Sequence, residues 1–163
     1  MSLEIDQAKL YQATVMVLGD RSVPSDIDVV FFHNRSFGDD THLPDLAADI
    51  IRRGKAGFIA VTNNEGERYG SAIPLEANPG KTYYIEKLRS LGIPEDTIIV
   101  PQRPAFHARE ENTAFIELAE QKGWKTGIIL AQTHQLLRSM LGAVQEMNQS
   151  GYMMKLFAIA PDV

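Results

Sequence analysis

Four polar segments of the sequence carry residue types that bind anions and move protons, and each follows an apolar run. The segments are HNRS (33–36), TNNEGER (62–68), PQRPAFHARE (101–110) and QTHQLLR (132–138). Arginine forms paired hydrogen bonds with phosphate or carboxylate groups, histidine changes charge near neutral pH, and asparagine both donates and accepts hydrogen bonds. The sequence therefore predicts a binding site for an anionic small molecule.

The last of these segments opens a predicted helix with two basic residues, His134 and Arg138. Residues four apart lie on one helix face, and basic residues in the first turns oppose the positive end of the helix dipole. Arg138 lies in the second turn, where the helix dipole is weaker, and His134 can stay neutral. Both residues could therefore have a purely structural role. We favour an anion site in which the helix amides act with His134 and Arg138, and in which the Thr133 hydroxyl caps the helix.

Polar residues after the first predicted strand form the second candidate group. His33, Asn34 and Arg35 follow IDVVFF, a run typical of a central strand that is buried on both faces. Ligand crevices open beyond the ends of such strands, although a solvated strand terminus would have the same composition. The segment contains no GxGxxG pattern, which disfavours an ordinary dinucleotide site.

The segment after the second predicted strand contains Asn63, Asn64 and Glu65. The two asparagines are equally suited to a turn and to hydrogen bonds with a ligand, because asparagine tolerates left-handed backbone. Glu65 could serve as a general base.

The start of the third core helix supplies Arg109, Glu111 and Asn112. Acidic residues in a first turn stabilise the helix dipole, so Glu111 has a structural interpretation beside that of a catalytic base. Asparagine is a poor helix former past the cap, and Asn112 is therefore predicted to hydrogen-bond across the crevice.

Alternating strands and helices must position these residues. Apolar, β-branched runs predict strands at 27–33, 56–62, 97–100, 126–131 and 152–160, and helical spacing with glycine stops predicts helices at 43–54, 81–92, 109–123 and 134–151. Residues 4–18 suit a further helix, and 63–79 a long loop. The core face of the last helix is predicted to consist of Leu137, Met140, Leu141, Val144 and Met147.

This alternation predicts the α/β class: a single domain, 1–163, with a three-layer, doubly wound, Rossmann-like fold. Its mostly parallel five-stranded sheet would carry helices on both faces, and residues 1–20 would pack on it as an N-terminal helix. The polar segments then meet at the carboxyl edge of the sheet, where ligands bind in such folds.

Composition narrows the function classes. The chain has 163 residues and no cysteine, and the absence of cysteine excludes thiolate chemistry. Its formal net charge of −5 argues against a broad nucleic-acid surface. No signal peptide and no apolar run of bilayer length is present, so we expect a cytoplasmic protein without a membrane partner. Metal-dependent hydrolysis is the weaker hypothesis and no metal ligands are assigned, because no spacing such as HExxH occurs.

The order of DVVFFHNRS, FIAVTNNEG, LRSLGIPEDTIIV and REENTAFIELAEQKGWKTGIILAQTHQLLRS resembles the YdcF, SanA and ElyC family, a bacterial domain of unknown function. The resemblance covers roughly Leu10 to Phe157, with the Glu111–Asn112 pair and the His134-x-x-x-Arg138 pattern as its most specific parts. It implies a Rossmann-like fold with a polar pocket at the carboxyl edge. The family usually has glycines after its first and second strands, where this chain has HNRS and Thr62-Asn63-Asn64.

Two functions therefore stay open. The first is binding of a nucleotide-like or other anionic small molecule, with or without catalysis, and with a nucleotide or S-adenosylmethionine as the cofactor classes considered. Its ligand-binding residues would be His33, Asn34, Arg35, Asn63, Asn64, Arg109, Asn112, Thr133 and Arg138, and its catalytic residues His134, Glu65 and Glu111. The alternative is a non-catalytic regulatory or interaction domain with a degenerate pocket, which the missing glycines favour.

Overall fold

The computed structural model describes residues 22–34, 42–67 and 78–161, and within them the predicted α/β class is confirmed. The strands are β1 (Ile27–Phe32), β2 (Ala56–Val61), β3 (Ile98–Ile99), β4 (Thr126–Leu130) and β5 (Lys155–Ile159). The helices are α1 (Leu43–Arg52), α2 (Lys81–Ser90), α3 (Ala108–Lys122) and α4 (Thr133–Ser150), and Glu95–Thr97 forms a 3₁₀ turn. The predicted helix at 4–18 and the central part of the predicted loop lie outside the described residues.

All the described strands are parallel, in the order β3-β2-β1-β4-β5. The order reverses between β1 and β4, which is the point where folds of this kind form a ligand crevice. Phe32 pairs with Val61 on one side and with Leu130 on the other. The three central strands therefore end level, and the residues that follow them begin at one edge.

The sheet separates two cores because side chains alternate along each strand. Val30 and Phe32 of β1 pack in the core beneath α1 and α2, whereas Val29 and Phe31 pack in the core beneath α3 and α4. The ring of Phe31 stacks on Phe115 of α3 with 4.3 Å between centroids. By the same alternation, the residue after Phe32 faces α3 and α4.

The core face of α4 is confirmed at Met147, and at Met140 and Val144 as half-buried residues packed against the core, but it differs elsewhere from the predicted one. Its buried residues are Leu136, Ser139, Ala143 and Met147, whereas Leu141 is 53% exposed. The prediction followed the largest apolar side chains. The helix instead turns small residues toward α3, which lets the two helices approach, and three of the predicted residues are left half-buried at the margin of this face.

Strand β2 is buried only in its second half, which corrects the prediction of a strand buried throughout. Gly57 and Phe58 are exposed, and the centroid of the Phe58 ring lies 5.5 Å from that of Trp124.

Within the three described ranges no helix combines the length and apolarity needed to cross a membrane.

The other end of the sheet is fixed by Asp28 of β1. Its carboxylate accepts hydrogen bonds from the backbone amides of Lys125 (2.6 Å) and Thr126 (2.9 Å) and from the Thr126 hydroxyl (3.1 Å). Burial acts to raise the pKa of Asp28, but these hydrogen bonds outweigh it and lower the pKa below its ordinary value of 3.8. The ionised carboxylate thus joins β1 to the start of β4.

Candidate functional site

A cavity of about 300 Å³ opens between α3 and α4. Helix α3 contributes Ala108, Arg109 and Asn112 to its wall, and α4 contributes five residues between Arg138 and Glu146. The ring of His33, which directly follows β1, completes the lining. The cavity therefore lies on the α3–α4 side of the sheet, next to the carboxyl edge at which the strand order reverses.

His33 joins both helices through its two ring nitrogens. Its Nε2 atom lies 2.9 Å from Oδ1 of Asn112, and its Nδ1 atom lies 3.3 Å from Oγ of Ser139. Each of the three side chains is at most 4% exposed. The predicted hydrogen bond of Asn112 across the crevice is confirmed, and its partner is His33.

The orientation of the Asn112 amide assigns the protons on the His33 ring. The Oδ1 atom faces the ring and can only accept, so Nε2 carries the hydrogen and donates it. A neutral imidazole then has an acceptor at Nδ1, where the Ser139 hydroxyl donates. In the neutral ring, these two contacts correspond to the Nε2–H tautomer of His33.

Gly142 of α4 permits this arrangement. A Cβ atom added there would lie 2.5 Å from Nδ2 of Asn112, well inside the ordinary contact distance. The close approach of the Asn112 amide to the backbone of α4 therefore requires glycine at position 142.

Arg109 and Arg138 bring two exposed guanidinium groups to the cavity from different helices. Within residues 22–34, 42–67 and 78–161, neither guanidinium has an ion pair or a side-chain hydrogen bond. Glu146 carries the one opposing charge in the lining, two helical turns and about 12 Å along α4 from Arg138. The lining is therefore polarised, with positive charge at the end of the cavity nearer the start of both helices.

Glu111, one of the predicted bases, is buried beside the cavity and does not line it. It is 5% exposed, and its Oε1 atom accepts the backbone amide of Asn34 at 3.0 Å. The side-chain amide of Asn34 donates in turn to Oδ1 of Asn64 at 3.2 Å. These contacts give Glu111 and Asn34 the role of fixing the chain where it leaves β1.

The structure places Asn63 and Asn64 in a turn and does not bring them to the cavity. Oδ1 of Asn64 also accepts the amide of Gly66 at 2.9 Å, and its Nδ2 donates to the carbonyl of Ala105. Asn63 donates to the carbonyl of Gln102 at 3.1 Å and accepts from Nζ of Lys81 at 2.7 Å. Both side-chain amides are therefore engaged within the protein.

Glu65 lies at the start of α2, away from the cavity. Its carboxylate accepts the hydroxyl of Thr82 at 3.0 Å and lies 3.7 Å from Nζ of Lys81. The amide of Thr82 also donates to it, at 3.4 Å. Glu65 thus stabilises the exposed amide end of this helix.

The predicted cap of α4 by Thr133 is wrong. Thr133 is the first residue of the helix, and Gln132 is the capping residue, with extended backbone and no capping hydrogen bond from its side chain. His134 is exposed and does not line the cavity, whereas Arg138 does. Arg138 continues instead along one stripe with Gly142 and Glu146, four and eight residues on. Arg35 lies outside the described residues.

Five residues of the cavity were not among the sequence candidates, namely Ala108, Ser139, Gly142, Gln145 and Glu146. The available signal was a serine and a glycine three residues apart in a helix whose other core positions are apolar. Such small residues mark a face on which a second helix packs closely.

Within the described ranges no cluster of three or more histidine, aspartate or glutamate side chains is placed to hold a metal ion. The chain matches no model of a protein family, no curated protein and no solved structure.

Proposed function

We propose that the α3–α4 cavity binds a small molecule that carries a phosphate or carboxylate group between the guanidinium groups of Arg109 and Arg138. The proposal depends on one observation: two exposed arginines line the same cavity, and neither has an ion pair among the described residues. Guanidinium groups bind these anions through paired, charge-assisted hydrogen bonds.

The position of Arg109 adds to the attraction. It is the second residue of α3, so the positive end of that helix dipole points toward the same end of the cavity. The two arginines supply side-chain donors, and the glycine-lined backbone that many phosphate sites use is not needed. The absence of glycines in HNRS is therefore compatible with anion binding here.

The cavity volume limits the size of the ligand. About 300 Å³ lies at the lower end of the range for small-molecule sites and corresponds to roughly ten water molecules. A sugar phosphate or a similar small acid fits this volume, whereas a dinucleotide does not. The resemblance to the YdcF, SanA and ElyC family stays a proposal beside this one.

A second candidate function, a non-catalytic interaction domain, is favoured by one observation. The predicted ligand contacts at Asn63, Asn64 and Glu65 are all engaged in hydrogen bonds within the protein. If this second function is correct, the cavity takes no anion.

Calorimetric titration with inorganic phosphate and glycerol phosphate distinguishes the two. We expect saturable binding by the wild-type chain and its loss in the Arg109→Ala/Arg138→Ala double variant. Arg53→Ala is the matched control, because Arg53 is also exposed but pairs with Asp49 at the end of α1. Absence of binding by the folded wild-type chain to either compound, or equal binding by the double variant, would contradict the proposal.

A further inference from the structure

We propose that Ser139 is a nucleophile that accepts a phosphoryl group from a phosphomonoester bound in this cavity, with His33 as its general base. This inference rests on the proposed function, since the arginines must first hold the phosphate. It starts from the three side chains that line the inner part of the cavity: a hydroxyl, an imidazole and an amide, connected in that order.

The order is the one that activates a serine. A base within hydrogen-bond reach removes the hydroxyl proton, and a third group orients the base. The separation of 3.3 Å between Ser139 Oγ and His33 Nδ1 is at the loose end of that reach, as is common before a substrate is bound. In the neutral ring, the Nε2–H tautomer that suits Asn112 leaves Nδ1 as an acceptor, which is the form that a base requires. Asn112 is a positioning residue, and Gly142 keeps it in place.

Burial of this network has an energetic disadvantage that packing alone does not offset. The side chains of His33, Asn112 and Ser139 are at most 4% exposed, so each must find hydrogen-bond partners inside the protein. Apolar side chains in the same space would carry no such requirement. Sites that depart from apolar packing in this way are where function is expected. Here the network lies against a cavity whose two arginines have no ion pair among the described residues.

The surroundings of Ser139 favour phosphoryl transfer over acyl transfer. An acyl intermediate needs donors such as unpaired backbone amides at its oxyanion, but Ser139 is the seventh residue of α4, where the amides serve the helix. Phosphoryl transfer needs positive charge around the three outer oxygens of the phosphate. Arg109 and Arg138 provide that charge in the same lining.

The transfer balances without a further reactant. Ser139 Oγ attacks phosphorus as the bond from phosphorus to the substrate alcohol breaks, and the hydroxyl proton moves to His33 Nδ1. The departing oxygen leaves on the side of phosphorus opposite Ser139 Oγ and takes a proton from water to form the alcohol, and the hydroxide left behind takes the proton from His33. Water then attacks the phosphoserine, gives its proton to His33, and releases inorganic phosphate and the serine hydroxyl, which recovers the proton from His33.

The far end of the cavity indicates the class of alcohol. Gln145 and Glu146 offer oxygen acceptors there, about 12 Å along α4 from Arg138. Hydroxyl groups of a sugar or another polyol donate to such acceptors. The substrate class is therefore a small polyol phosphate.

Phosphoserine trapping tests the proposal. The folded chain is incubated with 4-nitrophenyl phosphate and, separately, glucose 6-phosphate, quenched in acid, and mapped by peptide mass spectrometry. We expect a phosphoryl group on Ser139 and release of phosphate. Ser139→Ala abolishes both, and His33→Gln slows phosphate release by about 10²–10⁴-fold. Ser150→Ala, on the same helix, is the control and leaves both unchanged.

Binding of inorganic phosphate, measured by calorimetry on the wild type and on Ser139→Ala, separates the two proposals. Phosphate binding by both proteins, with no phosphoserine and no turnover in the wild type, overturns the nucleophile and leaves the anion site standing. Turnover by Ser139→Ala equal to that of the wild type also overturns the nucleophile. Failure of the folded wild type to bind phosphate overturns both proposals.

The role of Asn112 has its own readout. Asn112→Leu is expected to lower kcat with little change in KM, and nitrogen NMR of the His33 ring would show loss of the single tautomer. An unchanged tautomer would contradict the positioning role.

Discussion

Gly142→Ala is the perturbation that most sharply tests the packing of α4 against the polar network. An alanine in a helix interior normally stabilises the fold by about 1 kcal/mol relative to glycine. Here the added Cβ atom would lie 2.5 Å from Nδ2 of Asn112, so the amide must retreat by about 0.9 Å to reach the 3.4 Å at which ordinary contact begins. That retreat breaks its hydrogen bond of 2.9 Å with His33.

The free-energy change follows from these two opposing effects. Loss of a hydrogen bond to a buried partner destabilises the fold by about 1–3 kcal/mol, which exceeds the helix-propensity gain. We expect Gly142→Ala to lower the free energy of unfolding by about 1 kcal/mol, once the gain of about 1 is set against a loss of about 2. In an Asn112→Ala background the amide is gone, and the same substitution should stabilise by about 1 kcal/mol.

Urea unfolding of the four proteins gives the coupling between positions 112 and 142. The expected value is about 2 kcal/mol, well above the error of such cycles. Equal stabilisation by Gly142→Ala in both backgrounds would refute the reasoning, because it would mean that the Asn112 amide moves freely and does not hold His33.

Three further predictions concern the framework of the site. Asn64→Leu should destabilise the fold by about 2–4 kcal/mol in denaturant unfolding, because it removes three hydrogen bonds in the turn that follows β2. Asn148→Leu, on the exposed face of α4, is the control and should change the free energy of unfolding by under about 0.5 kcal/mol. Leu136→Ala should cost about 2–4 kcal/mol and Leu141→Ala under about 0.5, and the reverse order would contradict the observed core face of α4. Asp28→Asn should lower the free energy of unfolding by about 1–2 kcal/mol at pH 7. This difference should shrink as the pH falls below 3.8, because the lowered pKa of Asp28 stabilises the fold only while the carboxylate is ionised. A pH-independent difference between the unfolding curves of the two proteins would contradict this.

The strand pattern of the fold could be predicted from the sequence because burial leaves a direct signal in it. The run IDVVFF is apolar almost throughout, as a central parallel strand must be, and β1 lies between β2 and β4. Glycines 92 and 123 end their helical patterns in the sequence, and both have positive φ, Gly123 directly after α3 and Gly92 two residues after the end of α2. Local chemistry therefore set these elements and their approximate limits.

The face of α4 could not be predicted in the same way. Counting large apolar residues points to Leu141, but the interface with α3 depends on Ser139, Gly142 and Ala143, whose small size lets the helices approach. That advantage exists only in the presence of the partner helix, so it leaves no periodic apolar signal.

The candidate site was also predictable only in part. Topology correctly brought the segment after β1 together with the start of α3, which is why the contact of Asn112 across the crevice was predictable. Whether a polar side chain meets a ligand or a neighbouring backbone group depends on contacts within each turn. Those contacts engage Asn64 and Glu65 inside the protein, and the start of α4 leaves His134 exposed outside the cavity.

An anion in the cavity between α3 and α4 can be observed in a crystal structure of the wild-type chain grown with tungstate, which is located by its anomalous scattering. Tungstate has the shape and charge of phosphate. We expect a peak within hydrogen-bonding distance of the guanidinium groups of both Arg109 and Arg138, and its loss in the Arg138→Ala variant. An empty cavity at saturating tungstate, or a peak only elsewhere on the protein, would contradict it.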